Sequence, residues 1–151
     1  MTKDVLVSIT GVQTEIVKEA GVNQKTTEPM EVVAPALYYL KNNKHYIIYD
    51  EPVEGTSAVI KNKIKITDNK VVEIIKSGVS NSHMVFEKNK RNASFYQTPY
   101  GEMTLEVATD EMDVRVSEDV ILVSLGYQLD VNGEPLSNSH VTMRISSKKN
   151  S

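Results

Sequence analysis

Cysteine is absent from all 151 residues, which excludes disulfide staples, thiolate nucleophiles and zinc knuckles. A chain of this length buries about 70% of the surface its unfolded form exposes, so it folds without a staple. An excess of positive charge is also missing. Twenty acidic residues stand against 17 basic ones, a net charge of -3, without the overall basic bias of nucleic-acid binders. Long apolar runs are missing as well. The opening Met1-Thr2-Lys3-Asp4 and the alternating segment after it lack the apolar stretch of roughly 7 to 15 residues that a signal peptide needs. Nothing approaches the roughly 20 apolar residues of a membrane helix. These absences lead to the expectation of a cytoplasmic protein without membrane attachment. The seven glycines, at 11, 21, 55, 78, 101, 126 and 133, are too dispersed for a phosphate-cradling loop or dinucleotide fingerprint. Neither a Gly-x-Ser-x-Gly elbow nor a His-Glu-x-x-His helix occurs,. His45, His83 and His140 are scattered through different segments, so no shared metal site and no cofactor are expected.

What the chain has in abundance is β-branched side chains: 20 Val, 11 Ile and 11 Thr, against eight Leu and six Ala. Such side chains lose χ1 freedom in a helix and pack well on a pleated surface. The periodicity agrees. Ile121, Val123, Leu125, Tyr127, Leu129 and Val131 occupy alternate positions, with only Leu122 breaking the pattern, as in a half-buried strand. The same rhythm recurs at Val5, Val7, Ile9, at Met103, Leu105, Val107 and at Val141, Met143, Ile145.

Turn chemistry divides the chain at short intervals. Asn132-Gly133 predicts a two-residue hairpin, because both residues tolerate the positive φ of a type I′ turn. Asn42-Asn43 predicts another, whose register sets Tyr39 opposite Tyr46 and Leu37 opposite Ile48. Asp68-Asn69 and Asn89-Lys90-Arg91-Asn92 mark two more reversals, the latter bringing Phe86 beside Phe95. In Thr98-Pro99-Tyr100-Gly101, proline presets φ and glycine suits the fourth turn position. Two irregularities are expected. The apolar parity of the first strand changes at Gly11, which predicts a bulge or bend there. Simple two-residue pairing beyond Asn132-Gly133 would set Leu125 against His140, so a one-residue bulge near Ser137-Asn138-Ser139 is required. The result is an all-β chain of about ten strands, an antiparallel meander closed or nearly closed so that no sheet edge is left open. Residues 1–151 form one domain, with a core over about residues 3–147, and no internal repeat.

Few side chains suggest chemistry. Tyr39, Tyr46, Tyr49, Tyr96 and Tyr100 offer flat amphipathic walls for a pocket with a polar end, or ordinary core and turn packing. Arg115 and Arg144 alternate with apolar neighbours and either point into a barrel, there to hold an acid group, or face water. Lys61, Lys63 and Lys65 share one strand face that suits a row of phosphates or serves as a solvated guard against edge pairing. Asp110, Glu111, Asp113, Glu118 and Asp119 cluster around one turn, either a solvated turn or a divalent-cation site without calcium-loop spacing.

The opening Asp4-Val5-Leu6-Val7-Ser8-Ile9-Thr10-Gly11 with Gln13, then Tyr46 to Glu51, Gly55-Thr56, Met84-Val85-Phe86 and above all Tyr96-Gln97-Thr98-Pro99-Tyr100-Gly101, continued by Tyr127 and Leu129, resemble the bacterial YwiB-like family of uncharacterised proteins. The resemblance spans Lys3 to Ser147 and implies a calycin-like or lipocalin-like barrel of about 8 to 10 strands. It implies no catalytic or ligand-binding residues. Where relatives often carry arginine before the central glycine, this chain has Lys76-Ser77-Gly78, without a guanidinium fork. Tryptophan is absent, and with it the Gly-x-Trp signature of true lipocalins.

The expected function is therefore that of a non-enzymatic barrel binding a small amphipathic molecule or a protein partner. A nucleic-acid accessory role through Lys61, Lys63, Lys65 and the hairpin carrying Lys88, Lys90 and Arg91 is the alternative. An enzyme that pairs a barrel-mouth carboxylate with Arg115 or Arg144 is the third reading. The oligomeric state is left open.

Overall fold

Alternation and turns assemble into eleven strands in the computed structural model, which describes residues 1–19, 22–26 and 29–148. They are β1 (Asp4–Glu19), β2 (Val22–Thr26), β3 (Met30–Lys41), β4 (Lys44–Pro52), β5 (Val59–Thr67), β6 (Val71–Ser77), β7 (Asn81–Glu87), β8 (Lys90–Thr98), β9 (Gly101–Val116), β10 (Val120–Val131) and β11 (Glu134–Ser147). Neighbours from β3 to β11 pair antiparallel in chain order, and β1 pairs with both β3 and β11. Ten strands thus close into a barrel, with β2 added alongside the second half of β1. Closure satisfies the strand edges that an open meander would expose. The lumen is packed by inward residues that include Val5, Val7, Ile47, Ile64, Val72, Phe86, Ile121, Leu125, Met143 and Ile145.

The tight turns follow residue chemistry closely. Asn132 and Gly133 have φ of 51° and 85°, joining strands at Val131–Glu134. Asn42 and Asn43 have φ of 54° and 62°, and Tyr39 does face Tyr46 while Leu37 faces Ile48. Asp68 and Asn69 also adopt positive φ, and the Lys70 N–H closes that turn on the Thr67 carbonyl at 3.0 Å. At Thr98–Gly101 the Thr98 hydroxyl accepts from the Tyr100 N–H at 3.1 Å.

Three expectations are corrected. β1 carries no bulge at Gly11: its register with β11 runs unbroken from Val5–Ser147 to Glu15–Ser137. What changes is its other partner, β3 up to Gly11 and β2 from Thr14. The β11 irregularity exists but lies earlier than residues 137–139, for Asp130 pairs with Pro135 while Leu129 pairs with Ser137, leaving Leu136 as the extra residue. Leu125 accordingly faces Val141 rather than His140. Phe86 and Phe95 do not meet. The reversal pivots on Asn89, φ 62°, so Phe86 points inward to meet Tyr127 edge-on at 4.8 Å while Phe95 is outside.

A second bulge, absent from the sequence reading, lies in β9. Gly126 pairs with Glu111 but Tyr127 pairs with Thr109, so Asp110 is extra. Before it Leu105, Val107 and Thr109 are buried, and after it Met112 and Val114 pack on the core. The bulge therefore reverses which parity of β9 faces inward.

Candidate functional site at the barrel mouth

In an antiparallel meander, alternate connections share one end. The β4–β5, β6–β7, β8–β9 and β10–β11 connections gather at what is here termed the mouth. The core fills the opposite part of the lumen, but near the mouth the inward side chains leave a cavity of about 430 Å³, within the range of roughly 300–1,000 Å³ typical of small-molecule pockets. Its wall is mostly apolar: Ile60, Met84, Met103, Leu105, Leu129, Val131 and Leu136. The two bulges help to set this composition, since register decides which residues of β9, β10 and β11 face inward.

One side of the cavity is polar. Glu51, Lys76, Ser80, Ser82 and Tyr96 line it, and Tyr96 stands opposite Ser82 on β7 and Met103 on β9. Lys76 Nζ lies 3.3 Å from Glu51 Oε1. Both side chains are partly open to water, so the pair itself contributes only about 0–1 kcal/mol. One inward position deeper than Ile60 sits Asn62, fully buried beside Lys76 and Tyr49. Its Nδ2 donates to Glu51 Oε1 at 3.2 Å and to the Ile60 carbonyl at 3.3 Å, yet its Oδ1 has no hydrogen-bond partner. Leaving a buried acceptor unpaired costs about 1–3 kcal/mol. Burial, with the nearby Glu51 charge, pushes the inward Tyr49 hydroxyl up to about 12,.

The residues singled out in the sequence separate. Tyr49 and Tyr96 face the lumen. Tyr39 and Tyr46 are on the outer wall, stacked on each other at 4.8 Å. Tyr100 caps the β8–β9 turn and is 99% exposed. Arg115 and Arg144 are exposed, not lumenal. The β9 bulge turns Arg115 outward, where it pairs with Asp113 at 2.9 Å, and Arg144 alternates with the buried Met143 and Ile145. A mouth carboxylate paired with either arginine is not formed. Sequence reading missed Glu51, Asn62 and Lys76 as a group. Asn62 was the available signal, as the polar exception among the inward positions Ile60, Ile64 and Ile66.

Lys61, Lys63 and Lys65 do share the outer face, between neighbours that temper them. Lys61 pairs across from Asp50, and Lys65 lies 3.7 Å from Glu73 and 5.9 Å from the Tyr46 ring centroid. Among the described residues, no group of three or more histidine or acidic side chains could hold a metal ion. On the wall, the β3–β4 ladder runs from Lys41–Lys44 only to Leu37–Ile48. Pro35, with no N–H to give, lies just beyond. A side cleft of about 390 Å³ opens there, lined in part by Pro35, Leu37, Ile48, Asp50 and Lys61.

Comparison with known proteins agrees with this architecture. The chain is 25% identical over 107 residues to the uncharacterized beta-barrel protein YwiB of Bacillus subtilis (strain 168), covering 71% of this chain and 73% of that protein. The crystal structure of the ywiB protein from Bacillus subtilis superposes with a TM-score of 0.75 at 20% identity, over 99% of this chain and 96% of that one. At that identity the likeness carries the fold alone. Residues 12–143 match the model of a domain of unknown function, DUF1934. This closed ten-stranded barrel thus belongs to the DUF1934 family of uncharacterised β-barrel proteins.

Proposed function

We propose that the protein is a non-enzymatic binding barrel whose mouth cavity takes a small amphipathic molecule. The observation that carries this reading is the combination of a 430 Å³ apolar cavity with one polar side containing Glu51, Lys76 and Tyr96, the arrangement that orients an amphiphile inside a pocket. Met84 and Met103 give part of the wall an adaptable, polarizable surface. The test is native mass spectrometry of protein purified without detergent from its own host. A reproducible small molecule in about one-to-one ratio is the expected result. Met103→Trp, which places an indole in the cavity, should lower its occupancy about tenfold while Tm holds. Equal and empty spectra for both proteins, with no ligand raising Tm in a thermal-shift panel, would overturn the reading.

A second reading, attachment to single-stranded nucleic acid, draws support from the exposed Tyr39–Tyr46 stack beside Lys65, since base–aromatic stacking and cations act together on single strands. Its test is retention on single-stranded RNA, which must weaken as salt rises and on Tyr39→Ala. Retention indifferent to salt would sink it.

A further inference from the structure

We infer that the occupant of the mouth cavity is a cationic amphiphile, an apolar body carrying an ammonium-type nitrogen, an inference that rests on the cavity being a ligand site. Charge is separated along the barrel axis. At the mouth, the strand ends and connections carry Asp50, Glu51, Glu54, Glu102 and Glu134 against Lys61 and Lys76. Glu54, Glu102 and Glu134 have no cationic partner among the described residues. The far end carries Lys3, Lys41, Lys44, Lys70, Lys88, Lys90 and Lys148 against Asp4, Asp68, Glu87, Glu118 and Asp119. A low-dielectric cleft rimmed by one sign of charge concentrates the opposite sign.

The polar side of the cavity points the same way through its acceptors. Asn62 Oδ1, on a fully buried residue between the cavity-lining Ile60 and the core, lacks a donor. Glu51 adds a carboxylate, whose Oε1 accepts from Asn62 Nδ2 and from the Lys76 ammonium. The Lys76 side chain is 39% exposed, so it can turn to water while an entering ammonium takes its place against Glu51. Tyr96 supplies an aromatic face to the same cavity, which attracts cations through its quadrupole. An anionic head would meet the rim carboxylates.

Rim side chains complete the amphipathic fit. Val59, Val79 and Leu136 are 49%, 50% and 43% exposed, each at a different mouth connection. An apolar body therefore finds contact from the rim inward.

The experiment compares three probes with one tail, octylammonium, octyl sulfonate and octyl glucoside, by isothermal titration calorimetry below their micelle concentrations. The ammonium should bind about tenfold more tightly than either of the others. Glu51→Gln should remove most of that preference while leaving octyl glucoside affinity unchanged. If Glu51→Gln does not fold, the exposed double variant Glu102→Gln/Glu134→Gln reads the same preference, which should fall at least about twofold. Binding of the sulfonate or glucoside as tightly as the ammonium overturns the charge class and leaves the ligand site standing. Binding of none of the three, together with empty native spectra, removes the ligand site and this inference with it.

Discussion

Two single positions expose the physics most directly. Tyr38 Oη lies 2.7 Å from His45 Nδ1, and burial, with the amino-terminal charge, holds the His45 pKa below its ordinary 6.5. The hydroxyl and the ring nitrogen can each donate or accept in this contact, so it is burial and the nearby positive charge, not loss of the bond, that oppose protonation,. A base whose folded pKa is depressed gives stability that is present above the unfolded value of 6.5 and lost as pH falls through the folded pKa,. Wild-type Tm should therefore drop below pH 6.5 relative to His45→Gln, which keeps an acceptor and cannot titrate. Parallel Tm–pH curves for the two proteins would contradict this. Gly78 is the other position. Its φ is +148°, and a Cβ there would stand 3.0 Å from the Val59 carbonyl oxygen. Gly78→Ala should cost about 2 kcal/mol, a fall in Tm of roughly 4–8 °C for a chain of this size.

Among the elements, the bulges decide more than the strands. Leu136 is one extra residue in β11, and everything after it depends on that count. Were Leu136 paired in the ladder instead of looped out, uniform pairing from the Asn132-Gly133 turn would set Leu125 against His140 and move Met143 and Ile145 from the lumen to the outside,. Each of those two side chains contributes about 1.5–3 kcal/mol by burial, a large share of the roughly 5–15 kcal/mol that holds a domain together. Deleting Leu136 leaves Ser137 opposite Leu129 and Val141 opposite Leu125, so the deletion variant is expected to keep a cooperative thermal transition, and loss of that transition would refute the bulge at Leu136. The Asp110 bulge acts similarly on β9. Arg115 was open to an inward reading because it continues the odd parity of Leu105 and Val107, and the inserted residue reverses that parity before it.

For the whole molecule, closure is the governing fact. β1 and β11 pair from Val5–Ser147 onward, and the Thr2 N–H donates to Ser147 Oγ at 3.1 Å. Because residues near the two ends of the chain already touch, a permutant joining them through a short glycine-serine linker and opened between Asn42 and Asn43 should fold to the same barrel. Circular dichroism should overlay that of the parent, with a Tm within about 10 °C, and the matched-tail probes should rank identically. A permutant that stays unfolded would mean that the β3–β4 hairpin is needed intact for closure. The β1–β11 pairing joins segments far apart in sequence, so the barrel should fold slowly compared with helical domains of equal size.

The strand class and most turns were legible in the sequence because their causes are local: branched side chains favour a pleated surface, and Asn42-Asn43, Asp68-Asn69 and Asn132-Gly133 accept positive φ wherever they occur. The need for a bulge in β11 was legible too, since uniform pairing placed Leu125 against a histidine, although its place at Leu136 was not. The Asp110 bulge, the unbroken run of β1 past Gly11 and the separation of Phe86 from Phe95 depended on partners distant in the chain. The same holds for the mouth cavity. Glu51, Asn62, Lys76, Tyr96 and Leu129 come from five strands, and no local pattern specifies that they face one space. Local chemistry determined which segments are strands and where they turn, whereas register summed around a closed barrel decided which side chains meet inside it.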